Sequence, residues 1–222
     1  MMRVLCIAPH ADDETLGCGG TLLRHRAEGD EIHWLLVTEP QPPLFQADFI
    51  ERRRQQVEQV EAEYGFASLT RLGLAAAGLD RIADGDMVAI LKQAILNVAP
   101  DIVYVNHGGD IHSDHTAVFR ATMAALKPFR TGTAIKRILA YETLSETEQA
   151  GPTPDRAFLP NVFVDITAHM DRKIEILSVF AEELMPHPLP REASALRAQA
   201  RLRGATIGTG YAEAFALIRE VR

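Results

Sequence analysis

A single α/β domain with a mostly parallel, doubly wound sheet is the fold class that the sequence predicts. Short runs of Val, Ile and Leu alternate with longer amphipathic segments, and this alternation is typical of parallel strands covered by helices on both faces. The chain has 222 residues, of which 47% are hydrophobic, so it can bury one sizeable core. We therefore expect one Rossmann-like domain over residues 1–222, with strand order 3-2-1-4-5-6.

The individual strands and helices follow from the spacing of the apolar residues. Six apolar runs predict strands at residues 3–8, 31–38, 68–72, 101–106, 135–141 and 161–166. Apolar side chains three or four residues apart predict helices at residues 15–28, 49–64, 90–98, 170–184 and 211–221. Two Pro-rich segments, residues 40–43 and 186–190, are predicted to be surface loops that could border a pocket.

The composition argues against several classes of partner. The formal net charge is −7 and the sequence has no block of five like charges, which disfavours nucleic acid and anionic membrane surfaces. No apolar run approaches the roughly 20 residues of a membrane span, so membrane insertion is not expected. The two cysteines, Cys6 and Cys18, lie in apolar stretches and are predicted to be reduced, buried thiols. We expect a cytoplasmic protein.

Two polar clusters follow strands that are neighbours in the predicted sheet. The segment Pro9-His10-Ala11-Asp12-Asp13-Glu14 comes directly after the first strand and opens a helix. The segment Asp110-Ile111-His112-Ser113-Asp114-His115 comes after the fourth strand. In a sheet of order 3-2-1-4-5-6 these strands are adjacent where the winding reverses, and ligands bind beyond their carboxyl ends. The two clusters are therefore predicted to form one site.

The residue types in these clusters favour a metal site. Two imidazoles and a carboxylate form a nitrogen and oxygen donor set that suits zinc with an open position for water, whereas structural zinc sites are usually rich in cysteine. Capping of a helix N-terminus explains one or two of the acids, but neither the preceding His10 nor the second cluster. A dinucleotide site at Gly17-Cys18-Gly19-Gly20 is disfavoured because acids occupy the turn where a pyrophosphate would lie. We interpret these glycines as positions of close helix–strand packing.

At these residues the sequence resembles the PIG-L family, also called LmbE-like, of zinc-dependent de-N-acetylases. Members usually carry P-H-P-D-D-E after the first strand and H-x-D-H later, and here Ala11 replaces the second proline of the first motif. Arg53 fits the family's R-x-x-E-x(8)-G helix, which ends at Gly65, with Gln56 in place of the acid. The resemblance extends to His187-Pro188 and to the stretch from Arg203-Gly204 through Tyr211-Ala212-Glu213-Ala214-Phe215.

The resemblance implies which residues are the metal ligands and which is the base. His10, Asp13 and His115 would hold a zinc ion (Zn²⁺), with Fe²⁺ or Co²⁺ as alternative metals. Asp12 would be the general base, since a carboxylate next to a ligand can take the proton of a water that the metal has acidified.

The remaining predicted roles concern the acid and the substrate. The resemblance implies that His112 protonates the amine or stabilises the oxyanion. Asp114 would orient His112 and raise its pKa, so that the imidazole stays protonated near neutral pH. Arg53, on the inward-facing stripe of its helix, is expected to bind a sugar hydroxyl or a phosphate. Glu142 follows the fifth strand and should point to the same crevice, and His187 is a third substrate-binding candidate.

We therefore expect an N-deacetylase that hydrolyses the acetamide of an N-acetylated amino sugar or glycoconjugate. A zinc hydrolase of another amide or ester is an alternative, because the metal machinery does not fix the acyl group and specificity is set by loops. A non-catalytic metal-binding protein on the same fold is a third interpretation, which the presence of both Asp12 and His112 disfavours. The expected partner is a small-molecule N-acetylated sugar or glycoconjugate, with a homo-oligomer left open.

Overall fold

The computed structural model describes residues 1–131, 135–151 and 153–222. The strands are β1 Arg3–Ala8, β2 Glu31–Glu39, β3 Ser68–Ala75, β4 Ile102–Asn106, β5 Arg137–Tyr141, β6 Val162–Asp165 and β7 Ala212–Glu220. The helices are α1 Asp13–Ala27, α2 Ala47–Tyr64, α3 Asp84–Val98, α4 Ser113–Ala125, α5 Pro128–Thr131, α6 Met170–Leu177 and α7 Ala193–Ile207. Short 3₁₀ helices lie at Leu79–Arg81, Glu148–Ala150 and Thr167–His169. Within the described residues, none of the helices is long and apolar enough to cross a membrane.

The strands form one sheet with the order β3-β2-β1-β4-β5-β7-β6. Strands β1 to β5 pair in parallel, and β7 pairs antiparallel with both β5 and β6. The predicted α/β class and the order of the first five strands are confirmed. The winding reverses between β1 and β4, because β2 and β3 lie on one side of β1 and β4 and β5 on the other. The carboxyl ends of β1 and β4 therefore lie side by side.

The prediction of a helix at residues 211–221 is wrong, because this segment forms β7 between β5 and β6. Its large apolar residues are three or four positions apart, which suits a helix, but alanines also occupy every second position from Ala212 to Ala216. The alternation of alanines is the pattern that agrees with the structure. A strand that is paired on both edges and covered by helices needs small side chains on one crowded face, and in a strand every second residue points to the same face. The helices α4, α5 and α7 are additional to the predicted helices, and the helix predicted at residues 170–184 ends earlier, at Leu177.

The core consists of two apolar layers, one on each face of the sheet. One layer joins Val4 and Cys6 of β1 to side chains of α1, α2, α6 and α7. The other layer joins Leu5 and Ile7 of the same strand to side chains of α3 and α4. Successive side chains of a strand point to opposite faces, so β1 is buried on both. The prediction that the two cysteines are buried free thiols is confirmed.

Helix α1 approaches its neighbours closely through its glycines. A Cβ atom at Gly17 would lie 2.0 Å from a ring carbon of Tyr141, and one at Gly20 would lie 2.8 Å from the side chain of Ile166. Because interiors are close-packed, a larger residue at either position would displace those neighbours. The interpretation of this segment as close packing is confirmed, and it brings the start of α1 to the end of β1.

A buried ion pair stabilises a kink in α1, where non-helical dihedral angles interrupt the helix. The carboxylate of Glu213 on β7 accepts hydrogen bonds from the N–H groups of Gly20 and Thr21, at 2.8 and 2.7 Å. Lys173 donates to the carbonyl oxygen of Leu16 at 2.9 Å and pairs with Glu213 at 2.7 Å. The backbone groups that the kink exposes are therefore satisfied, and the first half of α1 is held in place.

Candidate active site

The two polar clusters meet at the carboxyl ends of β1 and β4. His10, Asp12 and Asp13 lie between β1 and the first turn of α1, whereas His112 and His115 lie at the start of α4. The ring centroid of His10 is 4.5 Å from that of His112 and 5.3 Å from that of His115. Because β1 and β4 are parallel neighbours, the segments that leave them share one edge of the sheet.

Three donor atoms converge at this edge. His10 Nδ1 lies 3.3 Å and His115 Nε2 lies 3.1 Å from Oδ2 of Asp13. Ligand atoms of the three residues all lie within 4.8 Å of one another. Asp13 and His115 are almost fully buried, whereas the side chain of His10 is 21% exposed, so the group is reached from one side. Two imidazole nitrogens and a carboxylate oxygen in this setting fit a divalent ion with an open coordination position.

A carboxylate holds the second nitrogen of each imidazole in this donor set. Asp110 Oδ2 lies 2.8 Å from His115 Nδ1, and Asp114 Oδ2 lies 3.1 Å from His10 Nε2. Metal-binding histidines usually have such partners, which fix the tautomer and aim the other nitrogen at the ion. Asp110 is absent from the predicted site residues, although it opens the second cluster five residues before His115.

The Asp114 carboxylate contacts groups other than His112. Besides His10, it accepts hydrogen bonds from the backbone N–H groups of Ala77 at 2.7 Å and Leu79 at 3.3 Å. The expectation that the Asp114 carboxylate orients His112 is therefore wrong. It is the backbone N–H of Asp114 that donates a hydrogen bond to the His112 imidazole. His10, His112 and Asp114 also form a second group of close donors, but these hydrogen bonds already engage the Asp114 oxygens. The first donor set is favoured as the metal site.

His112 is a neutral imidazole that accepts a hydrogen bond, rather than the protonated imidazole expected from the sequence. Its Nδ1 accepts the backbone N–H of Asp114 at 3.1 Å, so the proton of the neutral ring is on Nε2. Burial and the positive charges of His10 and His115 lower the pKa of His112 to about 4. The nearby charge of Asp114 acts in the opposite direction but is the weaker effect, so the expected rise in pKa is wrong.

The acids give the donor set a strong preference for positive charge. Burial opposes protonation of His10, but hydrogen bonds with Asp114 and Asp13 raise its pKa to about 9. Burial also opposes protonation of His115, but the charge of Asp13 and the hydrogen bond with Asp110 raise its pKa to about 10. A divalent ion can replace these protons, because the charge balance that favours them favours a metal as well.

Asp12 lies next to the donor set and is almost fully buried. Its Oδ2 accepts a hydrogen bond from Arg191 at 2.8 Å. Burial and the adjacent charge of Asp13 raise the pKa of Asp12 to about 7, whereas Arg191 acts to lower it. The φ angle of Asp12 is 131°, a conformation that residues other than glycine rarely adopt and that is enriched at functional sites.

Arg191 is a site residue that the sequence pattern did not indicate. It follows the second Pro-rich loop, and its guanidinium lies 2.8 Å from Asp12, 3.1 Å from Glu146 and 3.2 Å from Glu183. Its Nε also donates to the Ser145 hydroxyl at 2.7 Å. Periodicity does not locate a loop residue, and the only available signal was its position beside a loop predicted to border a pocket.

A cavity of about 720 Å³ opens at this site. His10, Asp12 and His112 line it, together with Pro40 and Pro190 from the two Pro-rich segments. Its volume lies within the roughly 300–1,000 Å³ that is usual for ligand pockets. A small molecule can therefore reach the donor set.

The three predicted substrate-binding residues lie in different places. Arg53 is buried, lines the cavity and pairs with Glu183 at 2.5 Å. Glu142 instead forms two hydrogen bonds with Arg203 of α7, at 2.7 and 2.8 Å, which hold its side chain against that helix. The side chain of His187 is 81% exposed on its loop. Neither Glu142 nor His187 is among the described residues that line the cavity.

Sequence comparison identifies relatives of this chain. The family model PIG-L, described as GlcNAc-PI de-N-acetylase, matches residues 5–126. The uncharacterized deacetylase YaiS of Escherichia coli K12 is 30% identical over 168 residues, which cover 73% of this chain and 81% of that protein. The 1D-myo-inositol 2-acetamido-2-deoxy-alpha-D-glucopyranoside deacetylase of Tsukamurella paurometabola is 28% identical over 163 residues, which cover 56% of this chain and 54% of that enzyme.

Solved structures share the fold along the whole chain. The conserved protein TT1542 of Thermus thermophilus has a TM-score of 0.78 at 28% identity, over 100% of this chain and 97% of that chain. The N,N'-diacetylchitobiose deacetylase of Pyrococcus horikoshii has a TM-score of 0.73 at 22% identity, over 98% and 84% of the two chains. The family model covers more than half of the sequence, and the E. coli relative is matched over most of its length. This chain is therefore a member of the PIG-L family.

Proposed function

We propose that this protein is a metal-dependent N-deacetylase that hydrolyses the acetamide of an N-acetylated amino sugar or glycoconjugate. The observation that carries the proposal is the convergence of His10, Asp13 and His115 beside a cavity that Asp12 also lines. The names of relatives support the substrate class. The T. paurometabola enzyme is named for an acetamido-deoxyglucopyranoside, and the P. horikoshii enzyme for diacetylchitobiose.

His10, Asp13 and His115 would hold the metal, for which we propose zinc, with Fe²⁺ and Co²⁺ as alternatives. A bound divalent ion supplies Lewis acidity, which polarises an acetamide carbonyl and lowers the pKa of a nearby water. The carboxylates of Asp110 and Asp114 hold the two imidazoles in the orientation that ligation requires.

Asp12 takes a proton from the attacking water and returns it to the leaving amine, so that the products are acetate and a free amino sugar. It is adjacent to Asp13 in the chain and lines the cavity. A carboxylate whose pKa is raised to about 7 suits a group that both accepts and donates a proton near neutral pH. Arg191 fixes one carboxylate oxygen at 2.8 Å and thereby orients the other.

His112 donates a hydrogen bond to the oxyanion that forms when water adds to the carbonyl. Its Nδ1 accepts the backbone N–H of Asp114, so the neutral ring presents its Nε2–H to a ligand. His112 lines the cavity 4.5 Å from the ring of His10, measured between centroids. One donor of this kind typically stabilises the transition state by about 3 kcal/mol.

Release of free amine from N-acetylated sugars tests the proposed function. Metal-loaded protein is incubated with N-acetylglucosamine glycosides, O-acetyl esters and N-acetylated amino acids, and released acetate is measured along with free amine so that ester hydrolysis is also detected. We expect amine release from the sugars, its loss on chelation, and its recovery when zinc is restored. Hydrolysis confined to esters or to other amides would favour the alternative hydrolase, and no hydrolysis of any compound would contradict an enzyme function.

Two neighbouring substitutions separate the base from the ligand. Asp12→Ala should retain the metal but lose about 10²–10⁴-fold in kcat, because proton transfer is removed while the donor set is intact. Asp13→Ala should lose both metal and activity, because it removes the oxygen between the two imidazoles. Metal content and kcat are measured on both variants. A metal-free Asp12→Ala protein beside a metal-loaded Asp13→Ala protein would reverse the assignment.

Replacement of His112 tests its role as a neutral donor. His112→Ala should lower kcat by about 10²–10³-fold with metal content unchanged, because one oxyanion donor is lost. His112→Gln, which retains an N–H group, should recover part of this loss. Because the pKa of His112 is lowered to about 4, neither variant should alter the pH profile of kcat near and above neutral pH. A normal kcat in His112→Ala would remove this residue from the mechanism.

Asp110→Asn tests whether the carboxylate behind His115 supports metal binding. We expect zinc affinity to fall by about 10–100-fold, because the amide orients the imidazole less strongly than the charged group does. Asp86→Asn, at an exposed position of α3, is the matched control and should bind zinc normally. Equal zinc affinities for the two variants in a competition titration would show that Asp110 does not support the ligand.

A further inference from the structure

One wall of the cavity is apolar and aromatic. Phe45, just before α2, and Phe49, in its first turn, stack with ring centroids 5.4 Å apart and ring planes inclined by 18°. Both rings line the cavity and are only half-buried by the protein. Pro190 of the second Pro-rich segment and Met185, just before that segment, add apolar surface, and Met185 is 40% exposed. This surface is available to a ligand that occupies the cavity.

The basic side chains of the cavity are already paired with acids. Four arginines and no lysine are among the described residues that line it. Each arginine has at least one carboxylate partner: Arg53–Glu183, Arg54–Glu51, Arg54–Glu58, Arg71–Glu39, Arg191–Asp12, Arg191–Glu146 and Arg191–Glu183. A phosphate or carboxylate on the ligand would meet cations whose charge is already balanced by these acids, and it would be repelled by the acids themselves. The lining therefore favours an uncharged ligand over an anionic one.

The cavity is also large for a single sugar. Its volume of about 720 Å³ is in the upper part of the range, about 300–1,000 Å³, of pockets that enclose drug-sized ligands. An acetamide at His10 and Asp12 places one end of the ligand at the donor set. The rest of the same cavity contains the wall formed by Phe45 and Phe49, so a group attached to the sugar can contact these rings.

We infer that the substrate, if the proposed deacetylase function holds, is an amino sugar that carries an uncharged aromatic or alkyl aglycone. Phe45, Phe49 and Met185 contact this aglycone and determine specificity, while the acetamide lies at the donor set. An aryl group gains aromatic contact and burial against the exposed parts of the two rings. An anionic aglycone would lose its hydration in the cavity, and each arginine among the described lining residues already has a carboxylate partner.

Matched glycosides of N-acetylglucosamine measure this preference. Metal-loaded protein is assayed for amine release from the methyl, phenyl and carboxypropyl glycosides, each as both anomers, and kcat/KM is compared. We expect the phenyl glycoside to exceed the methyl glycoside by about three- to tenfold, the gain of one aromatic contact. The carboxypropyl glycoside should not exceed the methyl glycoside. Equal values for methyl and phenyl, or a preference for the carboxypropyl glycoside, would overturn the inference.

Substitutions on two separate segments locate the preference. Phe45→Ala and Met185→Ala should each bring the ratio of kcat/KM for phenyl over methyl toward one. Phe45→Ala could lower the ratio merely by loosening the start of α2. Met185 lies on a different segment, so a lower ratio in both variants cannot be caused by α2 alone. Phe129→Ala, at a ring that is 80% exposed on α5, is the matched control and should keep the ratio of the unaltered protein. A ratio that is unchanged in both cavity variants would show that these residues do not determine specificity.

Calorimetric binding to the metal-loaded Asp12→Ala protein separates this inference from the proposed function. The phenyl glycoside should bind about three- to tenfold more tightly than the methyl glycoside, and Phe45→Ala in the same background should remove the difference. If the phenyl glycoside binds more tightly and Phe45→Ala removes the difference, but the unaltered protein releases no amine, then the aglycone site is supported and the deacetylase function is contradicted. If amine is released but the methyl and phenyl glycosides have equal affinities and equal kcat/KM, then the deacetylase function is supported and the aglycone site is contradicted.

Discussion

Carboxylates are concentrated at the edge of the sheet where β1 and β4 end, and the protein has to balance their charge. The acids that are at most 3% exposed there are Asp12, Asp13, Glu14, Asp110 and Asp114. Burial raises the pKa of Glu14 to about 8, and burial together with the charge of Asp13 raises the pKa of Asp12 to about 7, so the balance mainly concerns Asp13, Asp110 and Asp114. Buried ions cost several kcal/mol each unless they are paired. Arg191 compensates Asp12, and the two imidazoles of the donor set compensate the rest, either as imidazolium ions or as ligands of a divalent ion.

The sheet places these charged residues together, whereas loop segments form the cavity beside them. The switch in winding between β1 and β4 brings together two clusters that are far apart in sequence. The buried pair of Lys173 and Glu213 holds the kinked α1, so the first cluster is tied to the C-terminal strand as well. The cavity, by contrast, is lined by residues of the Pro-rich segments and the start of α2. Chemistry and specificity therefore lie on different parts of the chain, as is common on folds that host many substrates.

The sequence predicts best what depends on short-range pattern and strand order. The apolar runs predict β1 to β5, and the winding rule then brings His10 and His115 together without any knowledge of their distance. Prediction from the sequence pattern fails for β7. The apolar residues of that segment fit both a helical and a strand period, and its pairing with β5 and β6 determines that it forms a strand. The expected cytoplasmic location stays a prediction.

The partners of the site residues are the part that the sequence does not predict. Asp114 lies next to His115 in the chain, yet its carboxylate faces His10, because backbone N–H groups from the segment after β3 fix it there. Arg191 reaches Asp12 from a loop with no periodic pattern. The state of His112 likewise depends on a backbone hydrogen bond and on neighbouring charges. Apart from the local hydrogen bond between His112 and Asp114, these contacts join distant segments and exist only after the chain has folded.

The zinc bound per chain at equilibrium tests the central claim most directly, namely that the buried carboxylates and imidazoles form a metal site. Protein dialysed against buffered zinc near neutral pH is analysed for metal, with the Asp13→Ala variant as the control. We expect about one zinc ion per unaltered chain and almost none in the variant. Less than about a tenth of an equivalent in the unaltered protein, or equal zinc in the two proteins, would contradict the account.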